Sequence, residues 1–197
     1  SKFDRFTAGS VALSDAELRG LAWFNRSDKG NCAACHPSTK PANAPGALFT
    51  DFTYDSLGVP RNTEIAANAD PAFYDLGLCG PSRTDLSART DLCGLFKVPS
   101  LRNVALRKRF FHNGRFSSLE DVVRFYVQRD TNPEKWYPLD ASGKAVKFND
   151  LPPALRGNVN TTEVPYNRVL GGEPALNESE IQDLVAFLRT LSDGYKP

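Results

Sequence analysis

Cys32-Ala33-Ala34-Cys35-His36 is the stretch on which the reading of this 197-residue chain turns. Two thiols three positions apart, followed at once by a histidine, have the spacing of a c-type haem attachment site. Each thiol can add to one vinyl group of a single porphyrin, and the imidazole is then held beneath the iron as its proximal ligand. A zinc site would need about four Cys or His ligands in a tetrahedral cluster. Beyond these three, only Cys79, Cys93 and His112 remain, and they form no second paired motif. A thioredoxin-like redox pair would place the CxxC between a strand and a helix of a βαβ unit. Here Cys32 instead follows a polar turn, Arg26-Ser27-Asp28-Lys29-Gly30-Asn31, after a helical stretch.

The compartment follows from the chemistry. Thioether attachment of haem takes place outside the bacterial inner membrane, so the chain is expected to be periplasmic or otherwise exported, with a signal peptide already removed. Cys79 and Cys93, 14 apart in a stretch rich in Gly, Pro and Asp, are expected to pair as a disulfide there, the alternative being two buried free thiols. Lys plus Arg is 24 and Asp plus Glu is 23, a balance that points to neither nucleic acid nor an anionic membrane as partner. No apolar run approaches the ~20 residues of a membrane span.

Three amphipathic helices are predicted. The first is capped by Ser14, with Glu17 three residues on, and carries Leu18, Leu21 and Ala22 as its apolar stripe beside Trp23 and Phe24. The second starts at Ser117 or Ser118, with Glu120 or Asp121 at the capping position, and presents Leu119, Val122, Val123, Tyr126 and Val127 on one face. The third starts at Asn177 with Glu180, turns Ile181, Leu184, Val185 and Leu188 inward, and runs to about Asp193-Gly194. Between them, residues 37 to 96 and 130 to 175 show little periodicity. Long coil argues against a compact domain unless something else supplies an apolar surface, and a macrocycle would do so. The expected fold is mainly α, a cytochrome-c-like helical domain over residues 1–197, wrapped around one covalent haem with long irregular loops.

Several segments resemble the bacterial di-haem cytochrome c peroxidase family, which includes the MauG proteins, and more narrowly its C-terminal, electron-transfer haem domain. Phe3-Asp4-Arg5-Phe6-Thr7-Ala8-Gly9 is similar to the segment leading into that domain. Phe96-Lys97-Val98-Pro99-Ser100-Leu101-Arg102-Asn103-Val104-Ala105 and Phe111-His112-Asn113-Gly114 match its most distinctive stretch. Pro174-Ala175-Leu176 through Thr190-Leu191 match its last helix. The family carries two haems, and a single CxxCH here leaves the peroxide-reacting half out of this chain. The chain is then either a mono-haem relative or part of a longer two-haem protein.

In the family the sixth ligand of the electron-transfer haem lies 14 residues beyond the FH-G histidine, a methionine in the ordinary peroxidases and a tyrosine in MauG. That count from His112 reaches Tyr126, and the chain contains no methionine at all. The resemblance therefore implies His36/Tyr126 ligation or a sixth site lined by Tyr126, whereas periodicity alone reads Tyr126 as a packing residue of its helix. A phenolate would favour Fe(III) and lower the potential; a thioether would raise it. His112 is open to three readings: a residue beside the haem and near a propionate, a second iron ligand, or a turn histidine. Arg102 completes the set of candidate haem-contact residues with Cys32, Cys35, His36, Tyr126 and His112. The family's calcium site draws on a Thr and a Pro where this chain has Arg107 and Arg109, so calcium is doubtful here. The same basic run could neutralise propionates or dock an acidic partner. Trp23 and Trp136 are either electron-hopping stations or core packing.

These observations lead to electron transfer as the expected function, with a redox protein or a second haem domain as partner. The alternative is a peroxide-using enzyme, a peroxidase or MauG-like oxidase with hydrogen peroxide as oxidant.

Overall fold

The computed structural model describes residues 1–196, and its helices begin where capping side chains stand. A first helix not expected from the sequence, α1, spans Lys2–Thr7 and is capped by Ser1. Ser14 caps α2, Asp15–Asn25, in a reciprocal box with Glu17. Of the two serines open to the role, Ser118 caps α3, Leu119–Gln128, by accepting from the Asp121 amide. Asn177 and Glu180 cap each other at the start of α4, Glu178–Arg189. Each such cap satisfies amides that have no partner inside the helix.

Helix α4 stops four residues short of the expected Asp193-Gly194 end. The carbonyls of Thr190 and Leu191 are taken instead by the amides of Phe3 and Asn103, which tie the N-terminal helix and the central coil to the end of α4. The only strands among the described residues are β1, Tyr54–Asp55, and β2, Phe96–Lys97, paired antiparallel with Tyr54 opposite Lys97. Helices, short 3₁₀ turns included, account for 31% of the chain, a share that does not by itself make the fold mainly α. The core elements are helical, but most of the chain is irregular backbone laid over them.

Helices α2 and α4 pack closely because Gly20 sits at their crossing, where an added Cβ would lie 2.0 Å from the Asp183 carbonyl oxygen. Arg19 closes the same contact with a bidentate pair to Asp183 at 2.7 and 2.8 Å. In the core these helices share, Phe3, Phe24, Phe49 and Phe187 pack mostly edge-to-face, with ring centroids 5.1–6.3 Å apart. Such pairs add ~0.5–1.5 kcal/mol each beyond the area they bury. A second apolar cluster forms around Val59, Phe125 and Tyr137, on the other side of α3. The expected bridge joins Cys79 and Cys93, and it closes the loop whose neighbouring residue Gly94 borders the central cavity.

Candidate functional site

The five residues on the expected apolar face of α3 all line one cavity of about 420 Å³. That size lies within the ~300–1,000 Å³ range of sites for cofactors and small ligands. Leu119, Val123 and Val127 are buried, whereas Val122 and Tyr126 are only part-buried because they look into this space. Leu176, Leu184 and Leu188 form another wall. The coil contributes the rest: Phe96 to Leu101 and Phe110 to His112 border the cavity in sequence, so the two most distinctive segments are wall segments of one chamber.

Cys32, Cys35 and His36 line the same cavity. Asn31, in the left-handed conformation at φ 51°, turns the chain into the single 3₁₀ turn Cys32–Ala34, and the His36 amide closes that turn on the Cys32 carbonyl at 2.8 Å. Burial pushes the Cys32 thiol up to about 12 and, helped by the acidic side chains of Asp55, Asp51 and Glu163, the Cys35 thiol up to about 11. Neither has the depressed value of a redox-active CxxC thiolate.

His36 is oriented by the backbone. Its Nδ1 lies 2.8 Å from the Phe49 carbonyl oxygen; a carbonyl only accepts, so Nδ1 carries the proton and Nε2 holds the lone pair. Burial also pulls the imidazole below its usual range, against the opposing pull of that carbonyl, which keeps it neutral. A neutral, oriented imidazole is a ready metal ligand. Phe49 delivers its carbonyl from a left-handed backbone, φ 53°, while its ring is wholly buried among the core phenylalanines. Left-handed backbone at a bulky residue costs energy and persists only where the surroundings impose it.

The Tyr126 hydroxyl makes no hydrogen bond within the described residues, and burial raises its pKa well above the ordinary phenol range, with Cys32, Asp55 and Cys35 adding to the effect. A second phenol, Tyr166, lines the same cavity with its ring centroid 6.0 Å from that of Tyr126. The Ser56 hydroxyl, also on the wall, is buried with no partner. His112 borders the cavity too. It stacks on Phe96 at 3.6 Å, and its Nε2 lies 3.2 Å from the buried Asp150 carboxylate, which also accepts from Asn113.

Five of the six candidate haem-contact residues are thus brought together. Arg102 is not: it points away from the cavity, forms a bidentate pair with Asp4 at 2.7 Å on each arm, and donates to the Ala47 carbonyl. Arg107 and Arg109 do reach the cavity border, as does Lys97. Neither tryptophan lines it. Trp23 lies under Arg26 and Lys29, and Trp136 packs on Phe116 and Phe125. Tyr166 is the cavity residue that sequence reasoning missed, since it sits in coil with no periodicity or motif to mark it.

These residues fit haem c. Two thiols and a neutral imidazole border a largely apolar chamber, and unpartnered hydroxyls line it. A fully buried cation, Arg129, stands behind Tyr166 and is tied to Asp130 and to the carbonyls of Leu57 and Asn160.

No family model matches the chain. It is 30% identical over 207 residues to the methylamine utilization protein MauG of Paracoccus denitrificans, covering 100% of this chain and 48% of that protein. It is 31% identical over 158 residues to the cytochrome-c peroxidase IdrP2 of Denitromonas iodatirespirans, covering 73% of this chain and 40% of that protein. Among solved structures, the diheme peroxidase BthA of Burkholderia thailandensis matches with a TM-score of 0.87 and 44% identity, over 98% of this chain and 46% of that one. A tyrosine-to-methionine variant of BthA matches equally well, with a TM-score of 0.88 and 43% identity over the same shares. The chain spans about half the length of the curated relatives it matches, and the match falls on their C-terminal half. The chain therefore belongs to the bacterial di-haem cytochrome c peroxidase and MauG family.

Proposed function

We propose that this chain is a mono-haem c-type cytochrome domain that takes up and passes on single electrons in the periplasm. The observation that carries this reading is the convergence of Cys32, Cys35, His36 and Tyr126 on one largely apolar cavity. Haem c bound there would supply a one-electron iron couple. Cys32 and Cys35 would hold it covalently, and His36 would bind the iron through Nε2, its tautomer set by the Phe49 carbonyl. Tyr126 is the proposed second ligand, with an oxygen that has no competing partner among the described residues. Lys97, Arg107 and Arg109 on the cavity border would meet the propionates, and their charge suits an acidic redox partner or the other haem domain of a two-haem protein. No helix among the described residues is long and apolar enough to cross a membrane.

The test is spectroscopic. The haem-loaded protein should be six-coordinate and low-spin in the ferric state and inert to peroxide. Tyr126→Met should abolish the phenolate-to-iron absorption and raise the midpoint potential, because a thioether favours Fe(II). If spectrum and potential stay as they were, Tyr126 is a packing residue and the ligand assignment fails.

A peroxide-using enzyme is the second reading, favoured by relatives whose names include peroxidase. A high-spin ferric haem that turns over hydrogen peroxide would put that reading first.

A further inference from the structure

Tyr126 is not alone on its side of the cavity. Tyr166 borders the same space; it is 8% exposed, and its ring is tilted 32° to that of Tyr126 at 6.0 Å. Neither hydroxyl has a hydrogen-bond partner within the described residues, and both residues line the same cavity.

The Tyr166 ring is fixed. The Arg129 guanidinium lies 4.4 Å from its centroid, and the turn that carries it is closed by the amides of Tyr166 and Asn167 on the Glu163 carbonyl at 2.6 and 3.0 Å. What remains free to vary is the rotation of its O–H bond and the position of the Tyr126 side chain.

A phenolate oxygen on Tyr126 would be stabilised first by the iron it binds, and its remaining lone pair could accept from a neighbouring donor. The carboxylate of Asp55 lines the same cavity and opposes negative charge there. Arg129, the buried cation behind Tyr166, has its Nε, Nη1 and Nη2 already engaged by Asp130, Leu57 and Asn160. Tyr166 is a phenol donor whose ring is held 6.0 Å from that of Tyr126 on the wall of the same cavity.

We infer that Tyr166 is a positioning residue for Tyr126, donating its hydroxyl proton in a hydrogen bond to the Tyr126 oxygen when that oxygen binds iron. The inference rests on the haem reading proposed above. A hydrogen bond to an anionic ligand weakens its donation to the metal, so Tyr166 would hold the potential above the value an unassisted phenolate would impose.

Tyr166→Phe keeps the ring and its stack on Arg129 and removes only the hydroxyl. In the haem-loaded protein it should move the phenolate-to-iron absorption to longer wavelength and lower the midpoint potential, neither of which a purely structural role would do. Tyr126→Phe serves as the reference. If Tyr126→Phe abolishes the absorption while Tyr166→Phe moves neither band nor potential, the inference about Tyr166 is overturned and the ligand assignment stands. If Tyr126→Phe leaves the ferric spectrum unchanged, the ligand assignment itself is wrong and the role of Tyr166 falls with it.

Discussion

Arg102 commits its guanidinium to Asp4 and the Ala47 carbonyl rather than to the cavity. The hydrogen bonds from Arg102, more than its bare charge, hold the Asp4 carboxyl well below the usual carboxylate range. A depressed native pKa means that the stabilisation is full above the unfolded value near ~4 and is lost as the pH falls toward the native one. Asp4 is 37% exposed, so solvent screening limits the pair to about 1 kcal/mol. Asp4→Asn should therefore lower stability by about that much at pH 7, and the gap to the parent should narrow at pH 3, as read by urea unfolding at both. An equal gap at both values would remove the carboxylate from the explanation. The contrast with His36 explains what was legible at this scale. The spacing of Cys32, Cys35 and His36 is local and written in five consecutive residues. The partner of Arg102 lies 98 positions away, and Tyr166 reaches the cavity only through the packing of a coil; no local pattern encodes either.

Helix starts were legible for the same reason, since a cap and its partner lie three residues apart. Ser14 with Glu17 and Asn177 with Glu180 form the reciprocal boxes their spacing announces. The short α1 escaped because six residues give too little periodicity, and it is held by tertiary contacts: Phe3 in the phenylalanine cluster and Asp4 on Arg102. The close crossing of α2 and α4 was equally hidden, because a glycine inside a helix reads from sequence as a weakness of ~1 kcal/mol. Here the missing Cβ is what lets the backbones meet. Gly20→Ala gains that propensity but drives a methyl into the Asp183 carbonyl and within 2.8 Å of the Phe187 Cβ. Overpacking of this kind costs ~1–3 kcal/mol or more and should win. The expected outcome is a lower denaturation midpoint with the helix content retained. A midpoint at or above the parent's would mean that the helices part without cost.

For the molecule as a whole, the irregular segments 37–96 and 130–175 are explained by the cavity they enclose together with α3 and α4. Composition marks them as coil, but how they lie over the helices depends on surfaces far apart in sequence, which no local pattern encodes. The disulfide fixes one of these segments. With a 14-residue separation it contributes ~3 kcal/mol on chain-entropy reasoning. Asn158 holds the same loop by donating to the Thr90 and Cys93 carbonyls, so not all order there would vanish with the bond. Replacing both cysteines by serine should lower the unfolding free energy by about 2–3 kcal/mol in denaturant titrations. No change would assign the loop's order to its other contacts. At Phe49, three helices and the imidazole meet in one residue: its ring packs on Phe3, Phe24 and Phe187, while its carbonyl sets His36. Selection for a durable protein and selection for a particular redox poise would therefore act on the same codon. Drift there is confined to side chains that fill the aromatic nest and still tolerate a left-handed backbone, and a descendant evolving a new potential has to look for its variation elsewhere.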